Sequence, residues 1–533
     1  MARLLRQAAC CLAALHGLAW ALSSVETNQP RLSSRTNLDT VQVQAELGPL
    51  LLCSTSSVFG PDSPLWPNAT SRYQAYEPPQ IKLVVQVGCE EDVATVVRYA
   101  NAISLPFYAV NRGHGMTSTQ GQFHGLEIDM QLLTGIEINA NGKSARFQGG
   151  TFTQQLMDVL WEQGYVATTG SCGCVGMVGL GLGGGHGRMQ GRYGLVSDNY
   201  LSLNVVLANG TAITVSETSH PDLFWGMKGA GHNFGVVTSF KLRIFPRQEE
   251  TWYYRTYVFS QTQLEPLFEE LNRLQGNGTQ PVDMAWQMEL FQLNRTFSET
   301  EAIISWSFAY SGPEAAAQPY LAPFDALDPL SVEDGNVPVN EISNAQRTGS
   351  NDPICAHGYE RILATAGLQV YNVTTQRAIY EAFNEILRSN PAFNTSVVLM
   401  EGYSLQGVLA VDPASSAYPL RDDYLLMWAS VSYLPDESLD DTAIEWAGLI
   451  RDLWNEGQST RRPTTYVNYA FGMESLESMY GYESWRLERL RALKREYDPE
   501  NRFAYFNPIP VERSASSLDW LYNRGDMGVC MHI

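Results

Sequence analysis

Nine of the eighteen residues from 170 to 187 are glycine, in the run Gly170-Ser-Cys-Gly-Cys-Val-Gly-Met-Val-Gly-Leu-Gly-Leu-Gly-Gly-Gly-His-Gly187. Glycine loses more backbone freedom on ordering than any other residue, so such density persists only where the chain must approach something closely. A pyrophosphate or a flat ring system held by main-chain N–H groups meets that description. A tight-turn or flexible segment is the alternative, and the embedded Val, Met and Leu side chains argue against a flexible linker. The bare pattern Gly179-x-Gly181-x-x-Gly184 also fits a dinucleotide fingerprint. That motif needs a strand running directly into a long helix, and here residues 188–194 are polar and broken by glycine.

Two further segments share this character. Asn111-Arg-Gly-His-Gly115 directly follows a predicted strand at 106–110. A lone histidine is ordinarily a satisfied structural residue, but one held between glycines at a strand end is exposed toward a ligand. Gly229-Ala-Gly-His-Asn-Phe-Gly-Val-Val-Thr238 again joins small residues to a β-branched strand.

At 533 residues the chain exceeds one ordinary core, which predicts two domains or interlocked subdomains. With 56 acidic against 35 basic side chains, it lacks the basic surface that nucleic acid or anionic lipid requires. Arg3 and Arg6 precede an apolar run from 8 to 22, and Ala21 and Ser23 suit cleavage after residue 23. This reads as a signal peptide, too short to span a bilayer, and predicts a secreted protein without a membrane anchor. Six sequons, at Asn68, Asn209, Asn277, Asn294, Asn372 and Asn394, agree with that compartment. Six cysteines follow residue 23: Cys53, Cys89, Cys172, Cys174, Cys355 and Cys530. No second close Cys/His pair accompanies Cys172 and Cys174, so no metal site is expected. Cys53 with Cys89 is the expected disulfide.

Along the chain, residues 24–78 are rich in Ser, Pro, Asn and Thr and read as a loosely structured lead-in. A strand at 82–87, a helix at 90–103 and strands at 106–110 and 126–130 come next. Hairpins turn at Asn141-Gly142 and Asn209-Gly210, around a helix at 152–163. From 249 to 460 the long aromatic strands (252–259, 302–310, 424–433) and amphipathic helices (261–274, 375–388) predict an antiparallel sheet covered by helices. A helix at 483–496 leads into Tyr497-Asp-Pro-Glu-Asn.

One ordered set of motifs is specific. It comprises Arg112-Gly-His-Gly, Cys172-x-x-Val-Gly with Gly183-Gly-Gly, Tyr193-Gly-Leu-Val-Ser-Asp-Asn, Asp222-Leu-Phe-Trp, Gly229-x-Gly-x-x-Phe-Gly-Val-Val-Thr, Tyr466-Val-Asn-Tyr and Tyr497-Asp-Pro-Glu-Asn. This set closely resembles the berberine-bridge-enzyme-like FAD-linked oxidases of the vanillyl-alcohol-oxidase superfamily, in their fungal form, over about residues 79–510. The resemblance implies an α+β fold, with a two-part PCMH-type FAD-binding domain (79–248 and 461–533) and a substrate domain (249–460) whose antiparallel sheet is covered by helices. It implies FAD attached twice, through His114 to the 8α carbon and Cys172 to C6. By the same motifs Arg112, Gly113, Gly115, Val175, Gly176, Gly183, Gly184, Asp198, Asn199, Gly235, Val236 and Asn468 would surround the cofactor. Cys174 stands where relatives carry Ser or Thr and is expected to be dispensable.

The reaction so implied is hydride removal from a small molecule, with O2 as acceptor, H2O2 as product and Val175 leaving O2 a path. Tyr466-Val-Asn-Tyr reads as a strand that sends Tyr466 and Asn468 to one face. Tyr466 and His186 are the candidate bases, and Gln406 is a candidate for orienting the substrate. His186, where many relatives have Tyr, also has a purely structural reading. Met116 is a second departure, and both leave the substrate class open. A monomeric oxidase of a secondary-metabolite intermediate is the first reading. A carbohydrate oxidase and a catalytically silent flavin-bound glycoprotein are the alternatives.

Overall fold

The computed structural model describes residues 39–511, apart from the Met288 side chain; the segment read as a signal peptide, Cys530 and the last residues of the chain lie outside them. The β-branched run near residue 82 forms the strand Gln80–Gln86, buried at Leu83, Val84 and Val85. It pairs in parallel with His124–Asp129, which pairs in parallel with Phe107–Val110. Parallel neighbours need a crossover, and the helix Glu90–Ala102 supplies it. Val93, Val96, Val97 and Ala100 form its buried face, and Glu90, Glu91 and Asp92 occupy its first turn, where carboxylates favour the helix dipole. The strand Ser57–Phe59 completes a four-stranded sheet.

Beside it lies a five-stranded antiparallel sheet built from both predicted hairpins, with Gly142 at φ 65° and Gly210 at φ 80° in their turns. The third large sheet has seven antiparallel strands between Trp252 and Tyr433. The helices Leu264–Gln275, Val373–Ser389 and Asp440–Glu456 pack their apolar sides, including Phe268, Ile379, Phe383, Ile450 and Trp454, into one core with Trp286, Trp306 and Phe308 of that sheet.

Two expectations change. Among the described residues the lead-in is built into the fold, with helices Thr40–Leu47 and Trp66–Thr70. Buried Asp92 is the physical reason, because it accepts from the main chain of Leu52 (2.7 Å) and Cys53 (3.2 Å) and from the Ser56 hydroxyl (2.6 Å). The Cys53–Cys89 disulfide, as expected, ties the same segment down. Tyr466-Val-Asn-Tyr is a turn rather than a strand. The N–H groups of Tyr469 and Ala470 both donate to Tyr466 O, at 2.8 and 3.0 Å.

The closing motif has a structural reason. Lys494 Nζ donates to Asp498 Oδ2 (2.7 Å), Asn233 O (3.0 Å) and Phe503 O (2.7 Å), and Lys494 and Asp498 are both fully buried. Asp498 in turn accepts from the N–H groups of Arg502 and Phe503, at 2.7 and 2.9 Å. Removing one partner of a buried pair leaves the other charge uncompensated. Asp498→Ala is therefore expected to cost about 3–5 kcal/mol in denaturant unfolding. Replacing both residues, as Lys494→Met with Asp498→Leu, should cost less than that single change.

Candidate active site

The three glycine segments converge on a cavity of about 200 Å³. Arg112, Gly113, His114 and Gly115 line it from one loop, and Cys172, Val175, Gly176 and Gly179 from another. Tyr466 and Asn468 come from the closing segment, and Gln287, Leu399, Glu401, Tyr403 and Trp428 from the seven-stranded sheet. A second cavity of about 140 Å³ shares Asn111, Gly179, His232 and Phe506 with the first and extends past Gly235 and Val236. An outer chamber of about 650 Å³ meets the first cavity at Tyr73, Ile354 and Trp428. Thr256, Ser305, Ser307, Ser331, Ser430 and Ser432 line that chamber from the sheet strands.

This trough suits an extended cofactor with a flat ring. A Cβ added at Gly179, on the wall shared by the two inner cavities, would meet no atom within 4 Å apart from its chain neighbours and the backbone of its own helix. Glycine there keeps free space that a side chain would fill. Asn111 Oδ1, His232 Nδ1 and Gln287 Oε1 are buried without a hydrogen-bond partner among the described residues, although all three side chains line the first cavity. Buried polar groups are ordinarily paired, so these three are acceptors awaiting a ligand.

The two proposed anchors face the same space. The His114 ring stacks on Tyr73, with centroids 4.0 Å apart and planes 25° apart. Burial, with His357, Arg361 and Arg112 adding positive charge nearby, lowers its imidazole to about 3. The Cys172 thiol is free, and burial next to Glu401 pushes it up to about 12. Cys174 is not a spare sulfur. It forms a disulfide with Cys355, lies 3.9 Å from His114 Nδ1, and joins the glycine loop to the turn Pro353–Cys355. The expectation that Cys174 is dispensable is thereby corrected. Cys355 is 181 residues away, so no local motif reveals the pairing.

His186 reaches the cavity with both nitrogens engaged. Gly187 N–H donates to Gln190 Oε1 at 3.2 Å and fixes that oxygen as an acceptor. His186 Nδ1, 2.8 Å from the same oxygen, therefore carries the proton, and Nε2 accepts from the Tyr418 hydroxyl at 2.5 Å. Burial lowers this imidazole to about 4. The Tyr466 oxygen accepts from Gly185 N–H (3.1 Å) and Asn468 Nδ2 (2.7 Å), which leaves its own proton free to face the cavity. Burial outweighs those two bonds and raises its pKa.

Gln406, Asp198, Asn199, Gly183 and Gly184 do not line these cavities. Exposed Gln406 donates to Gln280 O at 2.8 Å. Asp198 forms a buried pair with Arg421 at 2.7 Å, and Asn199 donates to Tyr193 O and Leu195 O. A Cβ on Gly183 would fall 2.1 Å from Asn468 Oδ1, so this glycine serves close packing of the loop.

Glu401 was not legible as a site residue. It is one acid among 56, in a strand otherwise of apolar character (Val397–Tyr403). Tyr469 donates to it at 3.0 Å and Tyr403 at 3.3 Å. Burial raises it to about 7, with Tyr469, Tyr403 and Arg188 acting in the opposite sense. The folded protein therefore holds this proton where the unfolded chain, near 4.5, has lost it. Its contribution to stability is full below about pH 4.5 and declines through about pH 7. Glu401→Gln is expected to flatten that decline when unfolding midpoints are compared across pH. Separately, the paired change Cys174→Ser with Cys355→Ser should lower unfolding stability by about 2–5 kcal/mol.

Residues 81–216 match the family model described as an FAD binding domain, and residues 465–510 match the model described as berberine and berberine like. The chain is 62% identical to the FAD-linked oxidoreductase anuG of Penicillium roqueforti, over 90% of its own length and 94% of the relative. In structure it is similar to Physcomitrella patens BBE-like 1, with TM-score 0.73 and 20% identity over 89% of this chain and 100% of that one. It is also similar to the glucooligosaccharide oxidase of Acremonium strictum, with TM-score 0.71 and 18% identity over 89% and 100%. That enzyme is described with a 6-S-cysteinyl, 8α-N1-histidyl FAD.

Proposed function

This chain belongs to the berberine-bridge-like family of FAD-linked oxidoreductases, and we propose that it is a secreted, monomeric oxidase of a secondary-metabolite intermediate that carries FAD on His114 and Cys172. The observation that carries the reading is the meeting of His114, Cys172, Glu401 and Tyr466 on one cavity. Support for two attachments comes from the free thiol of Cys172 and the neutral imidazole of His114 on that cavity, and from the doubly linked FAD of the glucooligosaccharide oxidase. Support for secretion comes from the leader-like start and from the sequons, of which Asn68, Asn209, Asn277 and Asn372 are exposed.

Bound FAD supplies the redox chemistry, taking up a hydride and passing two electrons on to O2. The protein holds and moves the proton. A base working near neutrality is most effective with a pKa near the working pH, and Glu401, at about 7, fits that demand better than the phenol of Tyr466. Glu401 takes the proton from the substrate hydroxyl or activated C–H. Tyr403 and Tyr469, which donate to that carboxyl, favour its ionised form and so keep it ready to accept the proton. Tyr466, its oxygen fixed by two donors, offers its proton to the substrate and orients it. His186 braces Tyr418 and the wall of the cavity rather than acting as base.

The aromatic and aliphatic lining of the inner cavity (Tyr73, Met116, Leu399, Tyr403, Trp428, Tyr469) favours a largely apolar reacting group. The hydroxyl-lined outer chamber favours the second reading, a carbohydrate oxidase, because sugars bring many hydroxyls to pair. Peroxide release from glucose and cello-oligosaccharides, set against aromatic alcohols and phenols, separates the two.

Glu401→Gln is expected to lower kcat about 10²–10⁴-fold while keeping the yellow chromophore, and to abolish the rise in kcat/KM through about pH 7. Unchanged turnover would remove Glu401 as the base. Photoreduced protein should be reoxidised by air with one H2O2 per flavin, and reoxidation only by quinones or dyes would make it a dehydrogenase. Wild-type flavin should stay with acid-precipitated protein, and only the double variant His114→Ala with Cys172→Ala should release it.

A further inference from the structure

We propose that Tyr73 and Arg361 are positioning residues for joining the flavin to His114, a role that rests on the reading of His114 as a covalent anchor. The segment around Tyr73 threads between the His114 loop and the strand Glu360–Leu368. Tyr73 N–H donates to Gly113 O at 3.0 Å, which ties the tyrosine to the peptide next to His114. Gly113 has φ 63°, and a Cβ there would lie 2.7 Å from Ser71 O, so the loop and the segment are in close backbone contact. Arg361 donates to Tyr73 O and, at 2.7 Å, to Ala356 O. Its main-chain N–H donates to Gln74 Oε1 at 3.0 Å. Tyr73 and Arg361 are 2% and 6% exposed.

The side chains form a column. The Arg361 guanidinium lies 3.9 Å from the centroid of the Tyr73 ring, and that ring is stacked on the imidazole of His114 at 4.0 Å. Arg361 contacts main-chain oxygens and the Tyr73 and Tyr359 rings, without a carboxylate to neutralise it among the described residues. Its charge therefore opposes protonation of the imidazole two layers away.

Attachment demands both effects. An imidazole nitrogen can bond to carbon only with its lone pair free, and only if the ring is aimed at that carbon. In the balanced step one imidazole N–H bond and one C–H bond of the flavin 8α methyl break, and an N–C bond forms. The two electrons and two protons leave with O2 as H2O2. An imidazole free to turn about its ring bond would present the nucleophile rarely; one pinned under Tyr73 presents it continuously, and orientation of this kind is worth large factors in rate.

The test uses a Cys172→Ala background, in which His114 is the one remaining link. Full-length protein is supplied with FAD in air and precipitated with acid, and flavin is measured in pellet and supernatant by fluorescence and on the His114 peptide by mass spectrometry. The background protein and its Tyr73→Phe derivative should keep flavin in the pellet. Tyr73→Ala should slow attachment about tenfold or more while the undenatured protein still retains FAD on desalting. Arg361→Met should slow attachment likewise, with Arg361→Lys recovering part of it, and it carries the test should Tyr73→Ala not fold. Attachment in Tyr73→Ala and Arg361→Met at the background rate would overturn the proposal. Complete release of flavin from the Cys172→Ala background itself would instead overturn the His114 anchor, and this role with it. Retention there together with loss in Tyr73→Ala supports both.

Discussion

Arg188 closes the glycine run onto the seven-stranded sheet, and the rest of the site depends on that closure. Its guanidinium is buried and donates to Ser171 O (3.0 Å), Gln346 Oε1 (2.8 Å) and Thr348 Oγ1 (3.3 Å). Gln346 passes the contact on to Ser307 of the sheet at 3.0 Å. Gly173 N–H donates to Thr348 O at 2.8 Å, and the Cys174–Cys355 disulfide crosses the same seam. A loop half made of glycine has little side-chain packing to hold it, so its shape must come from outside. The buried cation, the disulfide and several main-chain bonds, among them Gly173 to Thr348, Gln154 to Gly173 and Met177 to Thr151, supply that shape.

The same cation contributes to the electrostatics of the site. Arg188 makes no direct ion pair among the described residues, and the acids that feel it are Glu401 and Glu289, both fully buried. Desolvation raises both carboxyls; the Tyr469 and Tyr403 hydrogen bonds and then Arg188 oppose the rise at Glu401, and main-chain hydrogen bonds and then Arg188 oppose it at Glu289. A carboxyl poised near neutrality follows from that balance, since burial alone would keep it protonated and a close ion pair would keep it ionised. Cys172 stays a thiol because burial and the neighbouring Glu401 raise its pKa, with Arg188 in opposition.

Much of this was legible because it is local. Glycine density, the isolated His114 after a strand, and the paired turns at Asn141-Gly142 and Asn209-Gly210 are each consequences of backbone geometry within a few residues. Tyr466 and Asn468 were found for a partly wrong reason. A strand would have put them on one face, and a turn does so as well, through the 2.7 Å bond between their side chains. Glu401, Tyr403 and Tyr469 were missed because an acid inside an apolar strand carries no signal until its neighbours are known.

By itself the sequence determined the family, the FAD trough and the two candidate anchors, because these rest on motifs whose backbone requirements are met within each segment. The tertiary structure alone decided which sulfur remains free, which carboxyl is buried to about 7, and that a lead-in rich in Ser and Pro is a wall of the site. Those outcomes depend on contacts between residues dozens to hundreds of positions apart. Burial and field strength are properties of that assembled surrounding, and no single segment contains them.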